Sequence, residues 1–217
     1  MRQLTVIFFL LSIINGFSQS ISDLYLLIPE EYSLGLSKDE RKSLINVFEK
    51  PTEFKKNAEL NYRIEELDVK NGYMRVSGAF EGIWEMCYWN LNDKSKMLAT
   101  TMYTCGPLCM TEYIKFYHYN NGQIIEIPFG KVIPNSFFID LITLIKEEKT
   151  IKDIRPLYEE PIAFVYYLPR KGKNIRVEYQ GVEYFEKKYL KSLLKGDNLE
   201  LEWTGDKFIK GQIYFQE

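Results

Sequence analysis

Two cysteines four residues apart are the first side chains in this sequence that could do chemistry. Cys105 and Cys109 enclose a Gly-Pro turn in the stretch YTCGPLC. Such a pair can be a redox centre, a metal clip or a disulfide that only closes a loop. Thioredoxin-like enzymes place two intervening residues at a helix N-terminus, which lowers the pKa of the first thiol. Here three residues intervene and MTEYIKFYHY, typical of a strand, follows, so that helix is missing.

A metal site at this pair would need further ligands. Copper proteins can combine such thiolates with imidazole, but the single histidine, His118, follows Cys109 by nine residues. A strand rises about 3.3 Å per residue, which places His118 roughly 15 Å from the turn, whereas a ligand lies about 2 Å from its metal. We therefore expect no metal, a structural histidine, and a Cys105–Cys109 disulfide, with a reduced pair as the alternative. Cys87 is left over as a buried apolar side chain.

Catalytic fingerprints are missing from the sequence. It contains no G-x-S-x-G, no H-E-x-x-H and no glycine-rich phosphate loop. Its adjacent carboxylate pairs point apart on a helix or strand, so they do not form a glycosidase pair. The sequence thus predicts a protein without catalytic activity and without a cofactor.

Aromatic residues offer a binding chemistry instead. The chain has 16 tyrosines and 14 phenylalanines, and aromatic side chains favour strands. An exposed aromatic sheet face would bind a sugar, a peptide or a protein. The candidate surface comprises Trp84, Tyr88, Tyr117 and Tyr119, with packing in the core as the alternative for most of them.

The first residues, MRQLTVIFFLLSIINGFSQS, have the pattern of a secretory signal peptide over residues 1–18. The apolar run from Leu4 to Ile14 is shorter than the roughly 20 residues that a membrane span needs. We expect a soluble exported protein, periplasmic or secreted, with no membrane span after cleavage.

Net charge argues against nucleic acid as a partner. The formal charge is -2, and nucleic-acid binding needs clustered Lys and Arg. The densest basic stretch, residues 170–173, predicts a solvated hairpin turn, with a binding patch as the alternative.

Local patterns predict the elements that carry these residues. A short helix from Ile21 stops before Pro29, and Ser37 with Glu40 forms a capping box for a helix over 38–49. From residue 62 the apolar period changes to two, with Asn-Gly turns, which predicts an antiparallel meander. A buried helix capped by Asn135 or Ser136, a hairpin, a helix ending at Gly196 and a last hairpin follow.

This order predicts an α+β fold with helices packed on the face of one or more antiparallel sheets. We expect one compact unit over 19–217, with possible helix-plus-meander halves at 19–134 and 135–217, since no linker separates them.

Three stretches resemble one family: ISDLYLLIPEEYSLGLSKDERKSLI, TTMYTCGPLCMTEYIKFYHYNNG and LELEWTGDKFIK. They are similar to exported Gram-negative bacterial proteins of the DUF3256 family, whose function is unknown. The family pattern has an Asp-Ser pair where Met110-Thr111 stands here, and an Asp where His118 follows Phe116-Tyr117. The resemblance implies export and the fold, and it leaves the function open.

Together these features predict an exported, non-enzymatic binding or interaction protein for an unknown protein or small-molecule ligand. The alternative is a periplasmic thiol-redox or metal-handling protein that uses Cys105 and Cys109.

Overall fold

The computed structural model describes residues 19–51, 61–78, 82–133 and 141–216. The predicted signal peptide at 1–18 and the predicted N-cap at Asn135 or Ser136 lie outside these ranges. The fold is α+β, as predicted, with two antiparallel sheets of six and four strands.

Two capped helices begin the described chain. α1 (Ile21–Tyr25) and α2 (Lys38–Glu49) both start at capping boxes, and at α2 the Ser37 hydroxyl lies 2.7 Å from Glu40 Oε2. Arg41 of α2 donates to the carbonyls of Tyr25 and Ile28, at 2.7 and 2.6 Å. These bonds fix α2 to the end of α1, so the helices dock as a pair.

The first sheet is a sequential meander. Its order is β1-β2-β3-β4-β5-β6, each strand antiparallel to the next. The strands are β1 (Tyr62–Asp68), β2 (Tyr73–Gly78), β3 (Gly82–Asn90), β4 (Lys96–Cys105), β5 (Cys109–Asn120) and β6 (Gln123–Ile127). Left-handed backbone at the predicted turns, including Gly72 and Asn121-Gly122, turns the chain back.

Short helices lead to the second sheet. They are α3 (Phe129–Val132), α4 (Leu141–Leu144) and α5 (Ile151–Glu159). The sheet has the order β10-β9-β8-β7, with α6 (Lys187–Leu193) between its second and third strands in sequence. Its strands are β7 (Phe164–Tyr167), β8 (Ile175–Tyr179), β9 (Asn198–Trp203) and β10 (Phe208–Tyr214).

The first sheet is covered on both faces. On one face Trp84 and Met86 pack with α1 and α2; on the other, Cys87 and Trp89 share a core with second-sheet residues such as Phe208. The prediction that β3 is buried on both sides is therefore confirmed.

Three details differ from the sequence prediction. The helix predicted from Phe137 was expected to be buried, but in α4 Ile142 is 64% exposed, so the described part of it is not buried on every side. α5 was not predicted, although Thr150 and Asp153 form its capping box. α6 ends with Leu194 as its C-cap; Gly196 instead lies against the Tyr214 backbone, where a Cβ would come within 2.3 Å of the carbonyl oxygen.

The described helices do not have the features of a membrane span. Within the ranges above, the helices are too short or too polar to span a bilayer.

Candidate functional site

The cysteine pair lies at the tip of the β4–β5 hairpin. Cys105 and Cys109 are directly opposed in the ladder and joined by a disulfide with an S–S distance of 2.04 Å. The enclosed Gly106 and Pro107 are exposed, and a strand follows on each side rather than a helix. Cys87 is free and buried, and burial raises its pKa well above the usual range. The pair therefore closes a hairpin, as the structural interpretation predicted.

The single histidine has a local partner. His118 Nε2 lies 2.9 Å from Ser95 Oγ, and the Ser95 hydroxyl donates to Asp93 at 2.5 Å. In a hydrolytic triad the histidine lies between the serine and the carboxylate. Here the serine lies between them, so its hydroxyl proton is directed at Asp93 and away from the base. In the described ranges no three His, Cys, Asp or Glu side chains converge to hold a metal ion.

The four predicted binding aromatics do not form one exposed surface. Trp84 and Tyr117 are 0% and 1% exposed and Tyr119 is 9% exposed. The physical reason is the N-terminal helix pair: the Trp84 ring lies 5.0 Å from that of Tyr25 in α1. The structure thus favours the core-packing alternative for these three residues. Tyr88 differs, because it is only partly buried.

Tyr88 is held in place from two sides. Its ring covers Gly72, where an added Cβ would lie 2.4 Å from a ring carbon. Its other contact is Lys96, whose Nζ lies 4.1 Å from the ring centroid, close enough for a cation–π interaction. Lys96 is 6% exposed, burial lowers its pKa, and its ammonium donates to Asn90 Oδ1 at 2.6 Å. Tyr88 and Asn90 are therefore fixed by the same cation.

Tyr88 lines a pocket of about 250 Å³, which we call the Tyr88 pocket. Residues from both sheets and their turns line it, and they include three aromatic residues, two asparagines and two lysines, but no acidic residue. The lining consists of Lys70, Asn71, Tyr88, Trp89, Asn90, Gly172, Lys173 and Trp203.

The connection between β7 and β8 builds one wall of this pocket. Arg170 forms ion pairs with Glu66 and Asp68 on β1, the latter at 3.2 Å. Farther along, the carbonyl of Lys173 accepts from Trp89 Nε1 at 2.9 Å. The predicted basic hairpin turn is thus a hairpin connection that is bound to the first sheet.

A buried carboxylate strengthens the same junction. Glu85 on β3 accepts from the Tyr73 hydroxyl and from the backbone N–H of Leu168, each at 2.9 Å. Leu168 directly follows β7, so this bond joins the two sheets. Burial raises the pKa of Glu85, and the two hydrogen bonds together with Arg75 and Arg176 partly oppose that rise.

Two other cavities lie beside the N-terminal helices. One lies between α2 and β1, lined by Phe48, Pro51 and Tyr62 among others, and the second lies between α1 and α2 beside Ser20. Both border residues 1–18 or 52–60, outside the described ranges. The Tyr88 pocket is bounded by described residues that are distant in sequence from those segments.

Sequence reasoning missed most of this site. Trp203, Lys173 and Asn71 come together only through packing of the two sheets, and no local pattern indicates it. Glu85 did carry a signal, because it is the one charged residue in a strand that is otherwise apolar on both faces.

Comparisons with known proteins agree with the fold. A domain of an uncharacterized protein from Porphyromonas gingivalis W83 is similar in structure, with a TM-score of 0.62 and 12% identity over 88% of this chain and 97% of that one. This likeness shows the fold alone. No curated protein matches the chain.

The family model described as "Protein of unknown function (DUF3256)" matches residues 13–208. That range takes in the first sheet, β7, β8 and β9 of the second sheet, and every residue lining the Tyr88 pocket. The match confirms the family that the sequence resembles. The chain therefore belongs to the DUF3256 family.

Proposed function

We propose that this protein is an exported, non-enzymatic binding protein that holds a small polar ligand in the Tyr88 pocket. The observation that carries the proposal is the composition of the pocket: aromatic residues and hydrogen-bonding residues from two sheets line one concave site. Ligand sites combine apolar and aromatic walls with a few placed polar groups. At about 250 Å³ the pocket suits a small molecule better than a protein segment.

The non-enzymatic part of the proposal rests on the same lining. It contains no histidine, cysteine or carboxylate, the side chains that most often act as general acid, base or nucleophile. The Ser95–His118 contact lies outside the lining and is arranged unlike a catalytic triad.

Export is supported by the leader pattern and by the disulfide. Cysteine pairs persist in oxidising compartments outside the cytoplasm, and the Cys105–Cys109 pair is accessible at a hairpin tip. Protein recovered from an export-competent host is expected to begin at Gln19 by intact mass. A full-length mass from that host would contradict the proposed leader.

The binding proposal can be tested by thermal unfolding and calorimetry with a panel of monosaccharides, sugar acids, amino acids and small organic acids. We expect saturable binding of at least one class. Tyr88→Leu should remove it, while Tyr184→Leu, which alters an exposed aromatic outside the pocket, should not. Absence of binding throughout the panel, or binding that Tyr88→Leu leaves intact, would overturn the proposal. Turnover of a hydrolase or oxidoreductase substrate would overturn its non-enzymatic part.

A further inference from the structure

The Tyr88 pocket is lined by two lysines that form no ion pair with the described residues. Lys70 reaches it from the β1–β2 turn and Lys173 from the β7–β8 connection, so the two cations belong to different sheets. Both are exposed, and among the residues that the structure describes neither ammonium has an ion pair or a hydrogen bond. Two lysines without an ion pair among the described residues therefore line one cavity in a protein whose formal net charge is -2.

Nearby arginines, in contrast, form ion pairs. Arg170 is paired with Glu66 and Asp68, and Arg176 with Glu178 at 2.8 Å. The nearby carboxylate of Asp68 is also occupied by Asn71, through bonds of 3.1 Å to its backbone N–H and 2.8 Å to its amide. Glu66 and Asp68 thus bind Arg170 and Asn71, and neither pairs with Lys70 or Lys173.

The two amides of the pocket have fixed orientations. Asp68 can only accept when ionised, so Asn71 must direct its NH₂ toward it and leaves Oδ1 as an open acceptor. Lys96 can only donate, so Asn90 must direct Oδ1 toward it and leaves its NH₂ as an open donor. One open acceptor and one open donor match hydroxyl groups, which both donate and accept.

Aromatic residues line the same pocket. Trp89 and Trp203 lie with centroids 5.6 Å apart; Trp89 is 4% exposed, whereas Tyr88 and Trp203 are only partly buried. A saturated ring with hydroxyls on its edge and C–H groups on its faces would meet both the amides and the aromatic surface.

We infer that the Tyr88 pocket binds a sugar acid of monosaccharide size, with its carboxylate between Lys70 and Lys173 and its hydroxyls at Asn71 and Asn90. This inference rests on the proposed function and names its ligand class. Charge-assisted hydrogen bonds from the two lysines would distinguish the acid from the neutral sugar of the same shape.

The test is calorimetric titration with matched pairs, glucuronate against glucose and galacturonate against galactose, at low and at physiological ionic strength. The acids are expected to bind at least tenfold more tightly than the neutral sugars. Raising the salt should weaken the acids selectively, because exposed charges are screened.

Charge-removing variants locate the effect. Lys70→Gln and Lys173→Gln should each weaken glucuronate about tenfold and should weaken the neutral sugars much less. Lys210→Gln, an exposed lysine on β10 outside the pocket, is the matched control and should change neither. Circular dichroism of each variant checks that the fold is retained.

The outcomes separate this inference from the proposed function. Equal binding of acids and neutral sugars, or no effect of either lysine variant, would overturn the sugar-acid inference while Tyr88-dependent binding stands. Tighter binding of inorganic phosphate or of a sugar phosphate would replace the carboxylate by a phosphate and also overturn it. Failure of every compound to bind would overturn the proposed function itself.

Discussion

Glu85 joins the two sheets by hydrogen bonds, but its position in the core disfavours the ionised carboxylate. Its carboxylate lies in the core between β3 and the end of β7, where it accepts from Tyr73 and Leu168. Burial penalises the ionised form and raises the pKa of Glu85 from the usual 4.5. The folded protein therefore binds this proton more tightly than the unfolded chain does.

The sign of the pH effect follows from that difference. The Glu85 contribution to stability is fully present below the unfolded pKa and is lost as pH rises through the folded pKa. Glu85→Gln can still accept from Leu168 and can donate to the Tyr73 oxygen, but it has no charge to bury. We expect its melting temperature to equal or exceed that of the wild type at pH 7 and to fall less between acidic and neutral pH.

Glu85→Ala is the control for the hydrogen bonds. It leaves the Leu168 N–H and the Tyr73 hydroxyl without their partner and opens a cavity, so it should lose about 2 to 4 kcal/mol. The opposite result would be a Glu85→Gln protein that is less stable than the wild type at neutral pH and whose stability varies with pH as the wild type's does. It would show that Arg75 and Arg176 stabilise the ionised carboxylate.

At Gly72 the backbone conformation and a neighbouring ring both favour glycine. Its φ is +67° and the Tyr88 ring lies directly over it. Gly72→Ala should cost about 1 kcal/mol for the left-handed backbone and about 1 to 3 kcal/mol more for displacing the ring. Denaturant unfolding measures the sum.

Gly35 provides a matched control for that prediction. It has the same φ of +67° but nothing within 4 Å of an added Cβ, so Gly35→Ala should show only the backbone cost. In a Tyr88→Ala background the excess cost of Gly72→Ala should disappear. Equal losses at Gly72 and Gly35 would mean that the Tyr88 ring is not held by this contact.

At the scale of elements, the β4–β5 hairpin is held together by its antiparallel ladder and by a disulfide. Its ladder pairs Lys96 with Tyr119 at one end and Cys105 with Cys109 at the other, where the disulfide adds a covalent link. A loop this short removes limited freedom from the unfolded chain, about 2 kcal/mol by the chain-entropy model. A Cys105→Ser/Cys109→Ser protein should therefore unfold at lower denaturant but keep the native circular dichroism spectrum.

Intact mass provides the matching chemical measurement. The folded protein should gain no alkyl group before reduction and two after it, because Cys87 is buried. Alkylation of the hairpin cysteines without reductant would contradict the pairing and support the thiol-redox alternative.

The elements were largely predictable from the sequence, because their signals are local. The capping box at Ser37 and Glu40 and the period of two from residue 62 gave α2 and the six strands of the meander. α5 was missed because Pro156 lies inside it and proline usually marks a helix end.

The candidate site was much less predictable. Asn71 and Lys173 are a hundred residues apart in sequence and face one cavity only because the β7–β8 connection lies against β1 and β3. The exposure of the aromatic residues also depends on tertiary contacts: on one face of β3, buried Trp84 packs against Tyr25 of α1, whereas partly buried Tyr88 lies beside Gly72 and Lys96.

At the scale of the whole molecule, the question is whether the two sheets fold as one unit. One apolar core contains Cys87 and Trp89 of the first sheet and Leu199 and Phe208 of the second. Polar links at the same junction add to it, notably the bond from Leu168 to Glu85. Opening this interface would expose apolar residues of both sheets; the first sheet has a further core beneath α1 and α2, whereas most buried apolar residues of the second sheet belong to the shared core.

We therefore expect a single cooperative unfolding transition, and the three tryptophans can test it. Trp84 reports on the core beneath α1 and α2, whereas Trp89 and Trp203 report on the core between the sheets. In a Trp84→Phe protein and in a Trp89→Phe/Trp203→Phe protein, the fluorescence midpoint should coincide with the far-UV circular dichroism midpoint of the same variant. That internal comparison removes the effect of each substitution on stability. Fluorescence and circular dichroism midpoints that separate in either variant would show that the two sheets unfold independently, as two halves divided near residue 134.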